Sequence, residues 1–257
     1  MIPYPKIDPE ILKVGPLAVR WYGLMYLAGF AASFLLVRSR IKKKALPLGK
    51  EFLETLYTGL VIGLLLGARF GYVLFYNLPF YLENPLDVFA VWHGGMSFHG
   101  GMIGSILAGY WVCRKAGVDF WQITDLVVVT VPIGLGLGRL ANFINGELFG
   151  RVTDLPWAMI FPDGGPLPRH PSQLYEFLLE GVLLFTILWT VKDRTSRTGV
   201  LSSLFLILYG LFRFTVELVR EPDVQVGYIL GFLTMGQILS AAMILLGLGL
   251  MYLRKRA

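Results

Sequence analysis

Gly138-Arg139-Leu140-Ala141-Asn142-Phe143-Ile144-Asn145-Gly146-Glu147-Leu148-Phe149-Gly150 follows without a break on the apolar run from Val127 to Leu137. An arginine, two asparagines and a glutamate therefore stand at the end of what otherwise reads as a membrane helix. Such groups are costly in hydrocarbon, and they survive there by facing a protein interior or a water-filled recess, paired with one another or with a ligand. The rest of the chain reads as a frame that brings further polar residues to the same depth.

Composition points the same way. Of 257 residues, 55% are hydrophobic and only 16% charged, with a mean hydropathy of +0.63. That is the profile of a polytopic membrane protein rather than of a soluble domain. The net charge of +6 sits in short basic clusters between apolar runs. This fits orientation across a membrane, and no nucleic-acid partner is expected. A single cysteine, Cys113, excludes an intrachain disulfide framework and a cysteine-based metal site. No metal and no cofactor are expected. The first apolar stretch is too long for a signal-peptide core and no basic cluster precedes it, so it is expected to be retained.

A spanning helix needs about 20 mostly apolar residues. Seven stretches qualify: Leu17–Val37, Phe52–Tyr76, Met96–Cys113, Phe120–Phe143, Leu174–Val191, Val200–Val219 and Leu233–Leu253. The fold class is therefore all-α, a single integral membrane domain over residues 1–257. Arg38, Arg40, Lys42, Lys43, Lys44 and Lys50 follow the first span, Arg114 and Lys115 the third, Lys192, Arg194 and Arg197 the fifth, and Arg254, Lys255 and Arg256 the seventh. The other side carries only Lys6, Lys13, Arg20, Arg151, Arg169 and Arg220. The positive-inside rule then puts the N-terminus outside and the C-terminus in the cytoplasm. The outer loops 77–95, with Trp92 and His93, and 151–173, with Trp157 and His170, read as short interfacial periplasmic arms. Gly59, Gly63, Gly67 and Gly71 recur every fourth residue in the second span and read as a seam for close helix packing. Arg69 beside them is either a snorkelling or an inward charge.

Counting about 1.5 Å per helical residue, five spans bring polar groups to one outer-leaflet depth: Tyr22; His99; Arg139, Asn142 and Glu147; Glu176 and Glu180; and Tyr209, Arg213 and Glu217. Arg213 and Glu217 are four apart and either neutralise each other or serve a ligand. Arg139 has no acidic residue three or four positions away, so its partner is on another helix or is a bound anion. Asn142 taken alone reads as interhelical glue. His99 lies among Gly94, Gly95, Gly100 and Gly101, a recess that suits a general base. Ser97 lacks the pattern of a nucleophile elbow. Two arginines at headgroup depth suit a phosphate, whose oxygens guanidinium donors match in pairs. The residues alone stop at an enzyme or binder acting on a phospholipid headgroup. An anion or phospholipid transporter would need a polar path onward, and on the cytoplasmic side only Glu54 and Asp125 are acidic within spans.

The stretch 138–150 closely resembles the signature of the prolipoprotein diacylglyceryl transferases, bacterial enzymes that lipidate the cysteine of lipoprotein precursors. Further matches are Trp21-Tyr22-Gly23-Leu24-Met25-Tyr26, residues 94–101, Arg169-His170-Pro171-Ser172-Gln173-Leu174-Tyr175-Glu176, residues 209–217 and Met235-Gly236-Gln237. They run through nearly the whole chain in the family's order. Ala141 stands where the family usually has glycine, and the segment between Arg151 and Arg169 is short beside longer members. The resemblance implies a multi-pass enzyme of the bacterial cytoplasmic (inner) membrane, its site facing the outer leaflet. Its partners would be phosphatidylglycerol and prolipoprotein signal peptides with a lipobox cysteine. It would form a thioether and release glycerol phosphate. On this reading His99 is the base, Arg139 holds the lipid phosphate and Arg213 stabilises the leaving group. Glu217 and Glu147 orient the arginines, while Asn142, Tyr22, Tyr209 and Gly150 shape the headgroup pocket.

Overall fold

A computed structural model describes residues 2–5, 7–14, 17–90, 94–195, 197–221, 228–229 and 233–256. Trp92 and His93 of the first outer loop, and Lys6 among the orienting charges, lie outside the described residues. Two strands, β1 (Glu10–Val14) and β2 (Leu17–Arg20), pair antiparallel and lead into α1 (Trp21–Lys43). α2 (Lys50–Tyr76) is followed by a short α3 (Leu78–Glu83), a 3-10 turn at Pro85–Phe89 and α4 (Phe98–Lys115). Next come α5 (Phe120–Val128), α6 (Val131–Asn145) and α7 (Ser172–Glu176), which runs on through a π-helical segment (Phe177–Leu183) into α8 (Leu184–Val191). α9 (Val200–Glu217), a minimal hairpin of β3 (Tyr228–Ile229) and β4 (Leu233–Thr234), and α10 (Met235–Arg256) complete the order.

Among the described residues, five helical segments are long and apolar enough to cross a membrane: α1, α2, the run Ser172–Val191, α9 and α10. α5 and α6 make a sixth if read as one span bent by 44°. The chain is an all-α polytopic membrane protein, and its helices form where hydropathy predicted them. Three details differ from the sequence reading. α4 occupies the third predicted stretch but is not among the five, since its 18 residues include Arg114 and Lys115 in the last turn and His99 in the first, and its four glycines and Ser105 add little apolar content. The fourth predicted span breaks because Pro132 lacks the N–H that would bond the carbonyl four residues back, and α5 ends there, at Val128. The first helix starts at Trp21 rather than Leu17. Its N–H bonds to the Pro9 carbonyl at 3.2 Å, and Arg20 pairs with Glu10 at 3.0 Å, which holds residues 17–20 in the hairpin.

The chain divides into two compact units, Arg38–Ile123 and the combination of Met1–Val37 with Thr124–Ala257. In the first, α2 and α4 approach backbone to backbone. A Cβ on Gly67 would lie 2.3 Å from the Gly100 carbonyl oxygen, and one on Gly63 2.5 Å from that of Gly104. The four-residue glycine spacing is therefore a packing seam, answered by glycines on α4. Lipid supplies no hydrophobic drive for helix association, so close packing must. Gly67→Ala should accordingly cost about 1–3 kcal/mol by forced separation and lower the thermal unfolding midpoint. Gly249→Ala, whose Cβ meets nothing within 4 Å, should leave the midpoint level or raise it slightly.

Arg69 in the same unit points inward. It is 4% exposed and donates to the carbonyls of Val88 (2.8 Å), Asp87 (2.5 Å), Ala90 (3.2 Å), Gly94 (2.5 Å) and Gly95 (3.1 Å). It staples the loop after the 3-10 turn onto α2. Ser97 is buried and caps α4 by accepting from the Gly100 N–H at 3.2 Å, which accounts for it without a hydrolytic role.

In the other unit, Val129, Leu184, Leu188 and Leu201 form one apolar cluster, with α8 and α9 residues packed around it. Asp125 accepts from the backbone N–H groups of Gly199 (2.7 Å) and Ser202 (2.8 Å) and from the Ser202 hydroxyl (2.6 Å). A carboxylate so placed satisfies the orphan donors at the α9 N-terminus. Glu54 is an exposed partner of Lys50 at 3.2 Å.

Candidate active site

The site is built where α6 crosses the π-helical segment. A Cβ on Gly181 would lie 2.8 Å from Gly136 Cα, so the two backbones touch there. Arg139 stands one turn beyond that contact on α6, and Glu180 one residue before it on the other helix. A π-helical turn advances each residue by less than the roughly 100° of an α-helix. Glu176 and Glu180, four apart, thus come close to one face, and both carboxylates meet Arg139. Both are fully buried at 0% exposure.

Glu176 is the centre of the charge cluster. Its Oε2 lies 2.8 Å from Arg139 Nε without the alignment of a hydrogen bond, so that contact is electrostatic. Its Oε1 accepts a short hydrogen bond from Arg213 Nη1 and lies 3.9 Å from Arg220 Nη1. Arg213 also pairs through Nη2 with Glu217 Oε2 at 2.7 Å. Arg139 Nη2 reaches Glu180 Oε2 at 3.4 Å. One carboxylate thereby ties α6 to α9, and three arginines meet three glutamates with no net charge. Among the described residues, Arg139 Nη1 and Arg213 Nε engage no acceptor.

Glu217 is held from a second direction. It accepts from Thr234 Oγ1 at 3.0 Å, and a Cβ on Gly236 would lie 2.5–2.7 Å from its carboxylate atoms. Gln237 Oε1 accepts from the Thr234 N–H at 3.0 Å. The block Met235-Gly236-Gln237 therefore starts α10 against this carboxylate, where the helix dipole favours negative charge and only glycine leaves room for it. Tyr209 lies on α9 within electrostatic reach of Glu180, Arg139, Arg213 and Glu176. The Tyr22 hydroxyl lies 3.3 Å from that of Tyr26 and within the same reach of Glu147 and Arg139.

The turn after α6 decides what Glu147 does. Gly146, at φ 71°, ends the helix in the left-handed conformation, and its N–H bonds back to the carbonyls of Asn142 and Phe143. Glu147 thus leaves the helical face that carries Arg139. It accepts from Asn142 Nδ2 at 2.8 Å and Asn145 Nδ2 at 3.0 Å. The expectation that Glu147 orients an arginine is corrected: its carboxylate is fixed by the two asparagines. Gln173 Nε2 donates to the Glu147 carbonyl at 2.6 Å and Ser172 Oγ to that of Leu148 at 2.9 Å, so the block 169–176 holds this turn in place. Gly150 makes a β-bridge with Arg220, and a Cβ on it would lie 2.6 Å from both the Val219 carbonyl and His170 Cβ. Its place is a steric requirement of that crossing. Arg169 braces the same crossing by pairing with Glu221 at 2.9 Å and lying over the Phe149 ring. Burial lowers the pKa of His170, whose Nδ1 lies 3.2 Å from the Tyr175 hydroxyl.

Arg139, Asn142, Glu147, Gly150, Tyr22, Tyr209, Arg213 and Glu217 all belong to one compact unit, where Glu176 joins Arg139 to Arg213. His99 belongs to the other unit, exposed in the first turn of α4 with its ring edge-on to Phe98. Sequence reasoning noted Glu176 and Glu180 at the right depth but gave them no part, and it counted Arg220 only as a loop charge. The signal for the glutamates was present: carboxylates inside an apolar span require a cation, and Arg139 lacked an acid on its own helix. Ala141 is completely buried.

A family model described as prolipoprotein diacylglyceryl transferase matches residues 9–253. The chain is 53% identical to the phosphatidylglycerol–prolipoprotein diacylglyceryl transferase of Desulfotalea psychrophila, over 97% of this chain and 94% of that protein. It is 54% identical to the protein of the same name from Pseudomonas aeruginosa, over 98% and 95%. A third, from Geobacter sulfurreducens, is 53% identical over 98% and 97%.

Proposed function

The chain belongs to the prolipoprotein diacylglyceryl transferase family, and on that footing we propose that it transfers the diacylglyceryl group of phosphatidylglycerol to the lipobox cysteine thiol of prolipoproteins. This is the first step of lipoprotein lipidation. The observation that carries the reading is the pair Arg139 and Arg213, held together by Glu176 with a donor left over on each. That is a built receptor for one phosphate, since guanidinium donors match phosphate oxygens in pairs.

In the reaction the cysteine sulfur attacks the glyceryl carbon and forms the thioether. The bond from that carbon to the phosphate oxygen breaks, and glycerol phosphate leaves with the electron pair. Arg139 holds the phosphate, and Arg213 stabilises the charge that grows on it, an effect commonly worth a few kcal/mol. Glu176 and Glu217 hold the guanidinium groups in position. Asn142, Glu147, Tyr22 and Tyr209 line the headgroup side, while Gly150 and Arg220 fix the backbone crossing beside it. A thiol with a pKa of about 8.5 is mostly protonated at neutral pH and needs a base. That role is assigned to His99 on the family resemblance of residues 94–101. The site faces the outer leaflet of the bacterial cytoplasmic membrane, with the N-terminus outside, as the distribution of basic loops indicates.

The test is the purified full chain with phosphatidylglycerol and a lipobox peptide, followed by mass spectrometry. A peptide gaining one diacylglyceryl group supports the reading. Headgroup release without a thiol acceptor would replace it with another headgroup transferase. His99→Asn should lower transfer by about a hundredfold or more, and transfer at the normal rate would remove His99 from the role of base.

A further inference from the structure

Three carboxylates serve the arginine cluster, and they are not equally held. Glu176 is engaged by Arg139 and Arg213 together. Glu217 is fixed by Arg213, Thr234 and the start of α10. Glu180 has only Arg139, at 3.4 Å, and its other oxygen, Oε1, is buried with no hydrogen-bond partner among the described residues. A buried carboxylate with one long contact is costly to keep. Yet it lies in a π-helical segment, a distortion that recurs at functional sites. That segment also turns it toward the arginine assigned to the phosphate.

An incoming phosphate needs two donors from Arg139 to bind in paired fashion. Nη1 is unengaged, Nε is committed to Glu176, and Nη2 is committed only to Glu180. The weakest of these attachments is the one a phosphate must replace. We infer that Glu180 is a positioning residue that competes with the headgroup phosphate for Arg139 and so limits how tightly both the lipid substrate and the glycerol phosphate product are held. This rests on the proposed function, because it takes phosphatidylglycerol as substrate. It adds a specific consequence: removing a buried charge beside the site tightens phosphate binding. Product must leave between turnovers, and a built-in competitor that retakes Nη2 speeds that departure.

Glu180→Gln keeps the shape and removes the competing charge. In nanodiscs, the full-length variant should show a KM for phosphatidylglycerol lower by about threefold to tenfold with no matching rise in kcat, the pattern of gained uniform binding. Glycerol 1-phosphate should inhibit at correspondingly lower concentration. Diacylglycerol, which shares the acyl chains but lacks the phosphate, should bind both proteins alike. A KM at or above that of the parent protein overturns the inference, as does equal tightening toward diacylglycerol. Should Glu180→Gln not fold, Glu180→Asp draws the carboxylate back from Arg139 and should lower KM by a smaller factor; a KM that stays level or rises overturns the inference equally. The two levels separate cleanly. A parent protein without transfer activity removes the proposed function, whereas an active parent with an unshifted variant removes only the part given to Glu180.

Discussion

Arg139→Lys should keep the fold and lose about two to three orders of magnitude in transfer rate. The positive charge survives in lysine, but the planar fork does not. Arg139 uses that fork to touch Glu176 through Nε and Glu180 through Nη2 while Nη1 stays available. An ammonium group on a flexible stem reaches one carboxylate and leaves the phosphate without a paired contact. Loss of one preorganised donor to developing charge costs about 10²–10³ in kcat in comparable sites. Transfer rates for phosphatidylglycerol and a lipobox peptide, measured beside thermal unfolding, check this. A variant with normal turnover would detach Arg139 from the phosphate.

Glu176→Ala is expected to damage stability as much as activity. The carboxylate is completely buried, contacts Arg139 and Arg213 directly, and lies 3.9 Å from Arg220. Its removal leaves like charges facing one another away from water, and breaking a buried pair by deleting one partner costs about 3–5 kcal/mol. The thermal midpoint should fall markedly, and residual folded protein should transfer poorly because Arg213 loses the group that holds it to α7. Glu176→Gln, which keeps the acceptor oxygen, should recover part of the stability and less of the rate. Equal midpoints for Glu176→Ala and the parent protein would mean that this carboxylate does not hold the cluster together.

The two variants probe different layers of one arrangement, and those layers were unequally legible. Arg139, Asn142 and Arg213 stood out because polar side chains in apolar stretches are expensive. The partner of Arg139 was legible only as a class, an acid on another helix or an anion. The family resemblance gave Glu147 the part of orienting an arginine. The left-handed Gly146 ends the helix before it, and its carboxylate turns to Asn142 and Asn145 instead. The seam glycines of α2 were read correctly because a four-residue spacing has one steric meaning in a helix. Their counterparts on α4 appear only once the two helices are placed together.

By itself, the amino-acid sequence determined a membrane chain of apolar helices, the places of its arginines and histidine along those stretches, and the family signature along its length. Those are one-dimensional properties, set by hydropathy, spacing and residue identity. Only the tertiary structure decided that Glu176 joins Arg139 to Arg213, that Glu180 is the loosely held member, and that Gly236 makes room for Glu217. These depend on how each helix is rotated about its own axis. That rotation follows from backbone contact at Gly136 and Gly181 and from a π-helical turn, neither of which hydropathy records.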